Sequence, residues 1–145
     1  MDRVLIDTDV ILDFFFDRQP FSEYAAKVLS LCELNLIQGF VTPVICSNVY
    51  YLLRQTAKHE KVIEKLNQLI SITYVLTMDR NVIVEALNSK FKDFEDALQN
   101  FAAVHSRDID LILTRNTKDF KSSVIGALTP ENYLKQIKTG NIQCL

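Results

Sequence analysis

The feature that most constrains this chain is the alternation of short apolar runs with longer segments of helical periodicity. Arg3–Ile6 reads as a buried strand, Gly39–Thr42 as a second, Thr73–Thr77 as a third, Asp110–Thr114 as the clearest late strand and Ile125–Leu128 as a weaker one. Between them, Ser22–Ile37 repeats Ala25, Val28, Leu29, Cys32 and Leu36 at helical spacing behind the N-cap residue Ser22. Thr42-Pro43 fits an N-cap followed by proline at the first helical position, opening a helix to about Ala57. Glu60–Ile70, a segment from Asp79 through Ser89, Asp93–Ser106 and a last segment from Thr129-Pro130-Glu131 complete the helical set. Strands separated by helices need crossover connections, which predicts an α/β fold: a three-layer sandwich with a mainly parallel sheet covered on both faces. No linker or internal repeat interrupts residues 1–145, so one domain is expected, with a tail beyond Lys138 that shows no pattern.

Composition removes several function classes. The chain is 48% hydrophobic and 23% charged, a globular balance. Its net charge of −2 excludes broad electrostatic capture of nucleic acid, so any such contact must be local. Cys32, Cys46 and Cys144 are an odd, widely spaced set without C-x-x-C, and His59 and His105 are the only histidines. Structural zinc and a disulfide framework are therefore not expected, and free thiols are. Acidic residues interrupt the apolar N-terminus, unlike a signal peptide, and no apolar run reaches membrane-spanning length. A cytoplasmic protein with no membrane contact is the expectation. Three glycines leave no phosphate-cradling loop.

Ligands in open α/β sheets bind beyond the carboxyl ends of the strands. There the sequence places Asp7, Thr8 and Asp9 after the first strand, Thr42 and then Ser47 and Asn48 after the second, and Arg115, Asn116 and Asp119 after the fourth. Asp93, Glu95 and Asp96 begin the helix leading into that fourth strand, at the same sheet end. Carboxylates gathered this closely repel one another unless a cation neutralises them, and oxygen ligands without histidine or cysteine suit Mg²⁺ or Mn²⁺. Each residue also has an ordinary explanation: Asp7, Asp93 and Asp119 as caps, Asp9 and Asp13 as the lining of an exposed helix, Asn48 as the partner of a backbone group. The functional case rests on their convergence.

Four segments together resemble the PIN domain family: Val4–Asp13, Ser47–Arg54, Asp93–Leu98 and Thr114–Phe120. The resemblance implies a parallel sheet between helices and, for many members, a metal-dependent ribonuclease, including VapC-related toxins of toxin–antitoxin pairs. It further implies Asp7 and Asp96 as metal carboxylates, Asp93 one turn away, Asn116 and Asp119 in the fourth acidic region, and Thr8 and Asp9 shaping the turn beside the metal. Thr114 supports the same site. One departure stands out: Asn48 occupies a position where many members carry glutamate, leaving one negative charge fewer, with Asp93 or Glu95 as replacements. On this reading RNA is the substrate, Arg54, Arg115 and Lys118 orient its phosphates, and a small antitoxin and a second copy of the chain are partners. Two other readings stay open: a catalytically weakened RNA- or protein-binding module, and a haloacid dehalogenase-type phosphatase with Asp7 as nucleophile and Asp9 as acid/base.

Overall fold

The computed structural model describes residues 1–139, so Cys144 and the tail beyond that point lie outside the described residues. The strands are β1 (Arg3–Ile6), β2 (Gln38–Val41), β3 (Thr73–Val75), β4 (Leu111–Leu113) and β5 (Gly126–Leu128). The helices are α1 (Thr8–Phe15), α2 (Ser22–Glu33), α3 (Pro43–Leu53), α4 (His59–Ile72), α5 (Arg80–Leu87), α6 (Phe94–Ser106) and α7 (Pro130–Thr139), with a 3-10 turn at Thr117–Phe120.

The five strands lie in the order β3-β2-β1-β4-β5, and every pairing is parallel. From β1 the chain winds outward through β2 to β3, then crosses back to β4 and β5. That reversal makes a topological switch point between β1 and β4. Their ends are in register, Ile6 opposite Leu113, and the Asp7 N–H donates to the Leu113 carbonyl at 3.0 Å. Asp7 and Thr114 therefore leave the sheet side by side. α1 packs on α2 and α3, α2 on α4 and α7, and α3 on α4, while α5 packs on α6. The two groups of helices cover the two sheet faces as an α/β/α sandwich.

The core follows the apolar pattern. Val4, Leu5 and Ile6 of β1 are wholly buried, as are Ile112 and Leu113 of β4. Strands buried on both faces read as continuous apolar runs rather than alternating ones. Gly39 is required by a close approach: a Cβ there would stand 2.5 Å from the Cys32 sulfur and 3.0 Å from Ile6 Cδ1. Thr42, Asp79 and Asp93 cap α3, α5 and α6 as expected, each side chain accepting a helix-terminal N–H.

Two expectations about helices are corrected. The helix expected over Ser22–Ile37 ends at Glu33, because Leu34 is exposed and Asn35 turns left-handed at φ 58°. Asp13 does not line an exposed helix face. It is 1% exposed, inside α1, where Arg115 binds it through two nitrogens at 2.6 and 3.1 Å. Among Phe14, Phe15 and Phe16, only Phe14 is exposed, and the other two pack against the core.

Candidate active site

A cleft of about 500 Å³ opens at the switch point. Asp7, Thr8 and Asp9 enter it from the β1–α1 junction, Asn48 from α3, Asp93, Glu95 and Asp96 from the start of α6, and Asn116 and Asp119 from the turn after β4. Six carboxylates thus line one cleft, and Arg18 is its only cation among the described residues. Leu12 and Leu52 add apolar wall, and Gln99 and Tyr51 complete the lining that bears on chemistry.

The junction after β1 is built tightly. Asp7 caps α1: its Oδ1 accepts the Thr8 N–H at 2.8 Å, and its Oδ2 accepts the Thr114 hydroxyl at 2.9 Å. Capping and site membership are therefore both true of Asp7, because a carboxylate oxygen satisfied on one lone pair retains another. Thr114 is fully buried and also accepts the Asn116 N–H at 3.1 Å, which fixes the turn that carries Asn116 and Asp119. Asp9 Oδ2 accepts the Arg115 N–H at 3.0 Å, tying α1 to the exit of β4, whereas its Oδ1 is buried without a hydrogen-bond partner. Thr42, fully buried, donates to Gln99 Oε1 at 2.6 Å and joins the end of β2 to α6 beneath the cleft.

Electrostatics confirm the crowding. Burial, followed by the charge of Asp9, pushes Asp7 up to about 6 despite the bonds from Thr114 and Thr8. Asp96 is pushed up to about 7 by burial first and then by Asp7, Asp93, Asp119 and Glu95. Burial also raises Asp9 above the usual carboxylate range, against the opposing effect of Arg115. The charge of Asp7 is one of the causes that raise Asp96, so the two titrate as a coupled pair. Such pairs cluster at functional sites, because repulsion held in place serves a ligand that relieves it. Among the described residues, no three His, Cys, Asp or Glu side chains are grouped tightly enough to enclose a metal ion unaided.

The structure separates the basic residues expected at the rim. Arg115 is engaged by the buried Asp13 and lies over the Phe21 ring at 4.1 Å. Arg54 donates to the Ala57 carbonyl at the end of α3. Neither these two nor Lys118 lines the cleft. Arg18 does, and no motif pointed to it, since it sits in the loop after α1. Gln99 and Tyr51 had a signal that went unused: each lies three residues past a cleft residue, Asp96 and Asn48, on the same helix face. Asn48 itself donates from Nδ2 to Glu95 Oε2 at 2.9 Å, so the residue that departs from the family pattern holds a carboxylate at the cleft mouth.

Comparisons with known proteins agree with this architecture. "Ribonuclease VapC1" of Aquifex aeolicus (strain VF5) is 25% identical over 143 residues, spanning 95% of this chain and 97% of the relative. Among solved structures, VapBC2 from Rickettsia felis bound to a DNA fragment from its promoter aligns with a TM-score of 0.67 at 12% identity, over 88% of this chain and 98% of the other. A toxin–antitoxin complex from Klebsiella pneumoniae aligns with a TM-score of 0.66 at 22% identity, over 88% of this chain and 97% of that one. The family profile described as PIN domain matches residues 3–118, a span that includes every strand but β5 and all of the cleft residues up to Asn116, with Asp119 just beyond it. The chain belongs to the PIN domain family.

Proposed function

We propose that this chain is a metal-dependent endoribonuclease and the toxin of a toxin–antitoxin pair. The observation that carries the proposal is the convergence of Asp7, Asp96 and Asp119 from three separate elements on one acidic cleft at the sheet's switch point. Its relatives' names, a ribonuclease and toxin–antitoxin complexes, give the substrate class and the partner. Family membership leaves no place for the phosphatase reading.

The donor set suits Mg²⁺ or Mn²⁺. All candidates in the cleft are oxygen ligands, the donor type these hard cations take. Asp7 and Asp96 would hold the ion, with Asp93, Asn116 and Asp119 lining the same cleft. A bound Mg²⁺ or Mn²⁺ would supply charge neutralisation and an activated water for phosphodiester hydrolysis. The chain's residues do the rest. Thr114 and the Thr8 N–H orient Asp7, Asp9 ties α1 to the exit of β4, and Leu12 and Leu52 add apolar wall beside the acids. Asn48 orients Glu95, which restores at the mouth the negative charge that position 48 lacks.

A small antitoxin, a second copy of the chain and a cytoplasmic location complete the reading. The unpaired Cys32 and Cys46 suit a reducing compartment. Among the described residues no helix is long and apolar enough to cross a membrane. The test is cleavage of mixed single-stranded RNA by purified protein with Mg²⁺, with Mn²⁺ and with chelator. Wild type should cut only with metal, and Asp7→Asn and Asp96→Asn should lose at least a hundredfold. Full activity in both variants would refute the assignment. RNA binding without cleavage by wild type would favour the binding-module reading, motivated by Asn48.

A further inference from the structure

An acidic cleft is a poor host for a polyanion. A strand of RNA brought to Asp7 and Asp96 must pass six carboxylates, and a metal ion offsets only part of that charge. The substrate therefore needs a second anchor next to the acids. Two lining residues, Arg18 and Tyr51, have the chemistry for it.

Arg18 is held ready. Its N–H donates to the Asp13 carbonyl at 3.0 Å, and its own carbonyl accepts the N–H groups of Phe21 and Ser22 at 2.9 and 2.7 Å. The preceding Asp17 takes a left-handed conformation at φ 50°, and its carboxylate accepts the Ser22 hydroxyl at 2.7 Å, closing the loop. The guanidinium lies over the Phe16 ring at 5.1 Å, and one nitrogen sits 3.6 Å from Asp13 Oδ1. Asp13 is already satisfied by the two shorter bonds from Arg115, so Arg18 keeps most of its donors while its position is fixed. The side chain remains 41% exposed.

Tyr51 is the opposite kind of residue in the same place. It is 69% exposed, on the α3 face that carries Asn48, and among the described residues it makes no hydrogen bond or ring contact. A large unpartnered ring at the mouth of a charged cleft offers a stacking surface, and single-stranded RNA is bound by stacking its bases on such rings while cations take the phosphates.

We propose that Arg18 and Tyr51 form a nucleotide subsite beside the acidic centre, Arg18 binding a phosphate and Tyr51 stacking a base of single-stranded RNA. The subsite rests on the ribonuclease reading, and it makes the enzyme prefer unpaired RNA, because a base held in a duplex cannot turn onto the ring.

The experiment uses the full chain. Cleavage kinetics on a labelled single-stranded oligoribonucleotide in Mn²⁺ are combined with anisotropy binding of the same RNA in Ca²⁺, and Mn²⁺ affinity is measured separately by electron paramagnetic resonance. Tyr51→Leu should weaken binding and raise KM about tenfold, with kcat changed less than threefold, whereas Tyr51→Phe should restore wild-type behaviour. Arg18→Gln should weaken RNA binding and flatten its salt dependence by about one phosphate, and Arg18→Lys should restore part of the affinity. Mn²⁺ affinity should stay within twofold in all four variants. An abasic substitution in the RNA at the stacked nucleotide should reproduce the Tyr51→Leu defect and add nothing to it. Wild-type RNA binding in both Tyr51→Leu and Arg18→Gln, with Asp96→Asn inactive, overturns the subsite and leaves the nuclease reading standing. Failure of wild type to bind or cut RNA overturns both.

Discussion

The raised acidities of Asp7 and Asp96 predict a steep pH dependence of metal binding. Only the ionised carboxylates are ligands, so binding must release their protons. Ordinary carboxylates near 3.8 would be fully ionised throughout the neutral range, and affinity would be flat. Here burial and mutual repulsion set Asp7 at about 6 and Asp96 at about 7. Treated as independent groups, both are ionised together in about 1% of apo molecules at about pH 5.5 and in about 90% at about pH 8. The apparent Mn²⁺ affinity should therefore rise about a hundredfold over that interval, steeply below pH 6 and levelling above pH 7.5. Asp96→Asn removes one of the two protons and should bring the limiting slope of log affinity against pH from about two to about one, at lower overall affinity. Electron paramagnetic resonance of free Mn²⁺ in the presence of protein, at half-unit pH steps, measures this directly. An affinity that changes less than threefold between pH 5.5 and 8 would refute the reasoning, since it would mean either that the two acids are already ionised or that the metal binds elsewhere.

Four further outcomes follow from particular contacts. Metal-free protein should lose stability as pH rises from about 4 to 7: both folded acidities are raised above the unfolded value, so the folded state holds more protons in that window, and melting with added Mn²⁺ should reverse the loss at the upper end. Thr114→Val deletes the hydroxyl that stabilises ionised Asp7, so the acid limb of the pH–rate profile should move to higher pH by about one unit and Mn²⁺ affinity at pH 6.5 should fall about fourfold, from the ~1.5 kcal/mol of a bond to a charged group. Arg115→Met leaves buried Asp13 with only the longer contact to Arg18, and urea unfolding should show a loss of about 2–4 kcal/mol. Gly39→Ala drives a methyl into the Cys32 sulfur, and thermal melting should report a loss of about 1–3 kcal/mol with normal activity per folded molecule.

Much of this protein was legible in its sequence because the determining physics is local. Strands buried on both faces produce unbroken apolar runs, helices produce their own spacing, and caps such as Thr42, Asp79 and Asp93 act over three residues. From these, the parallel α/β class and the acidic character of one sheet end follow, because topology sends every strand's next residue to the same side. The boundaries that slipped, as at Glu33, depended on where exposure and a left-handed residue ended a periodic run. Charge partnership was a different matter. Arg115 and Asp13 are 102 positions apart, and nothing local marks them as a pair, so one looked like a phosphate ligand and the other like surface. The bond from Asn48 to Glu95 spans 47 positions, and Arg18 reaches the cleft only because α1 ends and its loop folds back. The sequence by itself determined which acids stand at the strand ends. Only the tertiary structure decided which of them share one volume, because repulsion, burial and the approach of Arg18 depend on distances that no local pattern encodes.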